Sequence, residues 1–216
     1  MKGPKSRLPK PPWYAHDGED RICRKLFQRI GTESQTAVEF GAHDGFYKSN
    51  TAYFAIVEGW RCILFDAEPR SELVRKALIT AENINEIFDD AEVPEDLDLL
   101  SIDIDGNDLW VWKALTYRPR VVIIEFNPKW RPIRRRTIPY DPKRGAWDQT
   151  DYYGASAGAL VELGKEKGYA LYESTSANLI FAQERFVEEP KSVYQVRQRT
   201  KKEKLDPYDR PWVGYP

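Results

Sequence analysis

The chain has 216 residues, room for one domain with extensions, and its 41 % hydrophobic and 13 % aromatic residues supply a sizeable core, which excludes global disorder. Lysine and arginine number 33 against 34 aspartates and glutamates, so a net charge of -1 excludes bulk attraction to nucleic acid or to an anionic membrane. Two cysteines, Cys23 and Cys62, exclude a disulfide scaffold and lack metal-ligand spacing, and no apolar run nears the roughly 18 residues that span a bilayer.

The N-terminal MKGPKSRLPKPPWY is basic and proline-rich with no apolar stretch behind it. It reads as an extended arm rather than a signal peptide, which makes the cytoplasm the expected compartment. Residues 1–30 are expected to form this arm and a lead-in helix, 31–190 the domain, and 191–216 a charged, aromatic strap lying on its surface. TAVEFGA (36–42) is a short buried strand ending at a glycine, and NTAYFAIVEG (50–59) a helix stopped by Gly59. RCILFDAEP (61–69) is a second strand that Pro69 ends. SELVRKAL (71–78) reads as helical, with ALIT (77–80) the only remnant of a third strand, and TAEN (80–83) opens a short helix with Thr80 as its N-cap. LDLLSIDID (97–105) is a clear strand, NDLWVWKAL (107–115) a helix, and RVVIIEFN (120–127) a β-branched, fully buried strand. GASAGALVELGKEKG (154–168) is a helix with a cationic last turn and a glycine stop, and YALYES (169–174) with ANLIFAQ (177–183) forms a closing hairpin.

Strands alternating with helices predict an α/β fold: a mostly parallel Rossmann-like sheet flanked by helices. The C-terminal antiparallel hairpin points to the methyltransferase variant of that sheet, since plain dinucleotide-binding folds end in another parallel strand.

Ligands of open α/β sheets sit at the carboxyl ends of the strands, so the residues there carry the chemistry. The first strand supplies Glu39, Gly41, Ala42, His43, Asp44 and Gly45; the second Asp66 and Glu68; the third clear strand Asp103, Asp105 and Asp108; the fourth Glu125 and Asn127. Acids collecting at one rim suit a ligand bearing an ammonium and a sulfonium, as S-adenosylmethionine does. Glu39-x-Gly41-Ala42-x-Asp44-Gly45 is neither G-x-G-x-x-G nor a phosphate-cradling loop. Glu68 ends its strand where a carboxylate can accept bonds from both ribose hydroxyls. Asp103 and Asp105 point the same way along their strand, so they repel unless a cation or hydroxyl sits between them. Asp108 equally suits a helix cap.

E-F-G-A-H-D-G, F-D-A-E-P, S-I-D-I-D-G-N-D and V-I-I-E, in that order over residues 35–183, resemble the successive motifs of the FkbM-type family of S-adenosylmethionine-dependent methyltransferases. The resemblance implies cofactor contacts from Glu39, Gly41, Ala42, His43, Asp44, Gly45, Glu68 and Asp103, and O-methylation of a sugar or small metabolite, while the basic, aromatic loop 127–154 suits one that is phosphorylated, nucleotide-linked or acidic. Two departures stand out: Asp replaces Glu at Asp105 and Asp108, and the segment from Glu68 to Asp103 is short, which shrinks the adenine side.

A hydroxyl acceptor must lose its proton, and Asp103, Asp105, Glu125 and His43 are the candidate bases. Asp103, Asp105 and Glu125 could instead bind Mg²⁺, a less favoured reading. The long loop 127–154 is expected to roof the acceptor pocket with Asn127, Trp130, Arg134, Arg135, Tyr140 and Trp147, arginine pairing with phosphate and rings stacking on sugars. Nucleic acid is the lesser acceptor, and oligomeric state is not legible. The competing function is a catalytically silent Rossmann-like module that holds a glycan or a protein partner.

Overall fold

The computed structural model describes residues 13–144, 147–197, 206 and 208–216. The proline-rich arm up to residue 12 and much of the strap between residues 198 and 207 lie outside the described residues.

Five strands form the parallel part of the sheet: β1 (Thr36–Phe40), β2 (Arg61–Asp66), β3 (Arg75–Lys76), β4 (Leu99–Ile102) and β5 (Val121–Glu125). The hairpin strands β7 (Tyr169–Ser174) and β8 (Asn178–Gln183) complete a seven-stranded sheet in the order β3-β2-β1-β4-β5-β8-β7, with β8 antiparallel to both neighbours. That order, with its one reversed strand, is the class I methyltransferase fold.

Helices cover both faces: α1 (Glu19–Ile30), α2 (Ala52–Val57), α3 (Ile84–Asp90), α4 (Asp108–Ala114) and α5 (Ala157–Glu166). Alternation along the strands divides the core in two. Val38, Phe40, Leu100, Ile102, Val122, Ile124, Leu179 and Phe181 pack with residues of α3, α4 and α5. Ala37, Leu99, Val121, Ile123, Ile180 and Ala182 pack with Cys23, Leu26 and Phe27 of α1 and Tyr53 and Phe54 of α2. Glu39 falls between Val38 and Phe40, and so shares the α1/α2 face. At the opposite rim, Arg120 is clamped by the buried Asp98 at 3.2 Å and by Glu33 at 2.8 Å, tying the entries to β4 and β5 together.

Two local expectations are corrected. Residues 71–78 form no helix: Val74 alone anchors in the small cluster of Ala42 and Leu64, and Arg75–Lys76 pair with the free edge of β2. An eight-residue helix that buries little beyond Val74 and Ala77 is marginal in water, whereas β2 offers unpaired backbone groups. The following helix begins at Ile84 rather than near Thr80, because Thr80 and Asn83 first close a turn on each other: the Thr80 N–H donates to Asn83 Oδ1 at 2.8 Å and the Asn83 N–H to Thr80 Oγ1 at 3.3 Å. ALIT (77–80) contains no strand, since the pairing stops at Lys76.

The long loop and the C-terminal segment meet in a two-stranded sheet, β6 (Arg136–Thr137) against β9 (Val213–Gly214). Trp212 stands edge-on to Trp130 at 5.1 Å and to Tyr152 at 5.3 Å, and the buried Tyr215 donates its hydroxyl to Glu166 of α5.

Candidate functional site at the carboxyl rim

Where β1 leaves the sheet, Gly41 has φ +71, and a Cβ built on it would lie 1.7 Å from the carbonyl oxygen of Asp103. Only glycine permits this approach of the β1 and β4 ends. The Asp66 carboxylate then fastens two loops, accepting the N–H of His43 and of Glu68, each at 2.8 Å. Glu68, just beyond it, is left exposed at the rim. Asp44 accepts the N–H of Phe46 at 2.9 Å and of Tyr47 at 2.7 Å, bonds that hold its carboxyl below the usual range.

Glu39 is buried and already occupied by its own chain. Its Oε2 accepts the hydroxyls of Ser49 and Thr51, each at 2.6 Å, and its Oε1 the N–H of Asn50 at 2.8 Å. Burial raises its pKa and these bonds oppose the rise. The carboxylate therefore sets the entry to α2, and it presents Asn50, whose Nδ2 donates to Ser101 Oγ at 2.9 Å while its buried Oδ1 has no partner.

Across β4 and β5, one carboxylate oxygen each of Asp103, Asp105 and Glu125 lies within 4.8 Å of the others. Burial raises the Asp103 pKa well above the ordinary value, with Asp105, Asp108 and Glu39 adding repulsion. Asp105, at φ +56, is raised by burial and eased by the Arg144 guanidinium. Asp108 opens α4 and accepts the N–H of Ile104 and of Gly106, both at 2.9 Å, which curls the loop that carries Asp105; burial puts its carboxyl at about 6. Tyr153 is buried beside these acids, and burial first, then Glu125, pushes its hydroxyl upward.

These parts surround one cavity of about 760 Å³, within the usual roughly 300–1,000 Å³ of a small-molecule site. Glu39, Gly41, Ala42, His43, Glu68, Asp103, Asp105, Glu125 and Trp147 all line it. Asp44 and Gly45 do not: Asp44 is turned into its own backbone turn, and Gly45 is buried against Leu64.

The long loop divides, which corrects the expectation of a roof along its whole length. Asn127 spends its side chain on the loop, donating to the carbonyls of Asp151 and Tyr153 and accepting from the Lys129 N–H. Trp130 packs with Trp212, Arg135 pairs with Glu162 of α5 at 2.9 Å, and the Arg134 carbonyl accepts from Ser156 at the α5 N-terminus. Tyr140 bonds to Glu82 and to the Ala81 N–H ahead of α3. Asn127 thus holds the loop together, the other four follow α5, the C-terminal segment and the approach to α3, and none of the five lines the cavity. Among the described residues of the loop, the returning half alone reaches it, through Arg144, Trp147 and Tyr153.

Sequence reasoning passed over Ser49, Asn50, Tyr153 and Asn178, whereas Arg144, one of the basic residues of the long loop, does reach the cavity. Ser-Asn-Thr ahead of a helix is a readable cap signal. Nothing local marks Asn178: it matters because the register sets it directly opposite Glu125. Its Nδ2 donates to the buried Glu19 of α1 at 2.9 Å, and its Oδ1 is buried without a partner.

No protein-family model matches the chain, and no curated protein matches it. A solved structure, that of the small RNA methyltransferase HEN1, is similar at a TM-score of 0.45 and 13 % identity, covering 100 % of this chain and 28 % of that one. The chain thus spans well under half of the protein it resembles, and the resemblance to FkbM-type enzymes stands on the motifs alone. No helix among the described residues is long and apolar enough to cross a membrane.

Proposed function

We propose that this chain is an S-adenosylmethionine-dependent methyltransferase acting on a hydroxyl of a sugar or small metabolite, as the FkbM-type motifs imply. The observation that carries the reading is the meeting of Glu39, Glu68 and Asp103 around one cavity at the carboxyl rim of a methyltransferase-type sheet. The cavity fits the cofactor's chemistry at three points. Glu68 brings an exposed carboxylate suited to a diol. Ala77, Leu78 and Ile79 form an apolar wall suited to a base, which offsets the two-residue β3. The partnerless Oδ1 of Asn50 is an acceptor suited to an ammonium.

When bound, S-adenosylmethionine supplies an electrophilic methyl on a sulfonium, which moves by in-line displacement. The protein's part is orientation and removal of a proton. Asp103, held above the ordinary carboxylate range, is the base that best matches the task, with Glu125 beside it. His43 has a half-exposed ring on the left-handed β1 loop, so it suits contact at the mouth better than proton transfer. Trp147, Arg144 and Tyr153 face the acceptor side, where stacking and pairing with an anionic group would select the substrate.

Calorimetry with S-adenosylhomocysteine tests the assignment. Saturable binding that weakens about tenfold or more in Glu68→Ala is expected, since hydrogen bonds to a charged group are among the stronger ones. No binding at all removes the methyltransferase reading. Binding without turnover on any hydroxyl acceptor favours the silent module.

A further inference from the structure

The acids at the end of β4 and β5 are arranged more tightly than proton removal requires. Three carboxylates from three positions, Asp103, Asp105 and Glu125, converge to within 4.8 Å with only oxygen atoms facing one another. Magnesium binds oxygen at about 2.0–2.1 Å and calcium at about 2.3–2.6 Å, so oxygens on opposite sides of one ion stand roughly 4.0–5.2 Å apart. Three oxygens that all lie within 4.8 Å of one another are close enough for one such ion to touch them all.

A second observation is independent of the acids. Asn178 is 4 % exposed and lines the same cavity, and its Oδ1 has no hydrogen-bond partner. It pairs with Glu125 across the antiparallel β5–β8 ladder, and directly opposed residues project from the same face of a sheet. Its amide cannot turn over to relieve the orphaned oxygen, because Nδ2 is the group that serves the Glu19 carboxylate; exchanging the two would set oxygen against oxygen. A buried carbonyl-type oxygen without a donor, beside converging carboxylates, is the neutral member of a hard-cation ligand set. Arg144 eases Asp105 from one side, but its hydrogen bonds go to backbone carbonyls, Nε approaching that of Asp105 at 3.5 Å and Nη2 that of Tyr152, rather than to the three carboxylates.

We infer that Asp103, Asp105, Glu125 and the Oδ1 of Asn178 form a binding site for a hard divalent cation of the Mg²⁺, Mn²⁺ or Ca²⁺ kind. Cation binding does not depend on the methyltransferase reading. Its use does: in that reading the ion would hold and acidify the acceptor hydroxyl, whose proton would pass to the Asp103 carboxylate oxygen that does not ligate the ion.

The test is titration of the metal-stripped full chain with Mn²⁺, following the free ion by electron paramagnetic resonance, with S-adenosylhomocysteine calorimetry run in parallel. One saturable Mn²⁺ site that Mg²⁺ or Ca²⁺ displaces is expected. Affinity should fall at least tenfold in Glu125→Gln and in Asp103→Asn, fall less in Asn178→Ala, and stay unchanged in Glu68→Ala. Glu125→Gln and Asp103→Asn keep the side-chain shape, and each is read only where its thermal transition is cooperative. Absence of saturable Mn²⁺ binding overturns the inference, as does parental affinity in both of those variants. Direct competition between Mn²⁺ and S-adenosylhomocysteine for one site also overturns it, assigning the acids to the cofactor's ammonium. Cofactor binding without Mn²⁺ sinks the cation site alone, and Mn²⁺ binding without the cofactor sinks the methyltransferase reading alone.

Discussion

Gly41→Ala is the sharpest perturbation of the rim. The new Cβ would start 1.7 Å from the Asp103 carbonyl oxygen, whereas real Cβ contacts essentially never fall below 3.0 Å, so the gap must open by at least 1.3 Å. Both contacting groups are backbone, and no rotamer change can relieve them. The left-handed φ of +71 adds strain for any L side chain. That strain is worth roughly 1–2 kcal/mol, and forced overpacking roughly 1–3 kcal/mol, for a total of about 2–5 kcal/mol. In a chain of this size each kcal/mol moves Tm by about 2–4 °C, so a fall of roughly 4–20 °C is expected by calorimetry or circular dichroism. Gly31→Ala is the internal control: its φ is +73, but nothing lies within 4 Å of the added Cβ. With ψ -179 it lies in a region nearly reserved to glycine, so it carries a strain of roughly 1–3 kcal/mol without the clash, for a drop of about 2–12 °C. S-adenosylhomocysteine affinity should fall in Gly41→Ala, because prising β1 from β4 moves Asp103, and hold in Gly31→Ala. Equal Tm losses in the two variants would refute the close approach of the β1 and β4 ends.

Three further outcomes are expected. The Asp108 carboxyl sits at about 6 when folded, through burial, against 3.8 for the free side chain. A folded state that holds a proton more tightly loses stability as pH rises from the unfolded to the folded value. The unfolding free energy, measured by denaturant with a chelator present, should therefore fall between about pH 4 and pH 6 by about 3 kcal/mol if unopposed, and Asp108→Asn should flatten that slope; an unchanged slope refutes the assignment. Arg120→Met strips the buried Asp98 of its guanidinium and should cost about 3–5 kcal/mol in denaturant unfolding, whereas a loss under about 1 kcal/mol would mean the pair is solvated. Trp212→Ala removes two edge-on ring contacts, to Trp130 and Tyr152; at about 0.5–1.5 kcal/mol each it should lower Tm by roughly 2–12 °C, with cofactor affinity unchanged.

The alternation of buried strands and amphipathic helices was legible by eye, because burial on one or both faces leaves a period in the residues themselves. β1, β2, β4, β5, α5 and the closing hairpin all lie where that period sets them, and the hairpin alone distinguishes this sheet from a plain dinucleotide fold. The rim acids were legible too, since a strand's direction decides which of its ends meets the ligand. Residues 71–78 defeated the same reasoning: their fate rests on an unpaired edge of β2 that no local pattern announces. Only the tertiary structure could distribute the long loop, for arginines with one composition went to α5 while Arg144 alone returned to the cavity. Asn178 makes the point most directly. Its partner in space, Glu125, stands 53 positions away in the chain, and ladder register, a property of two strands together, brings two such distant side chains to one face.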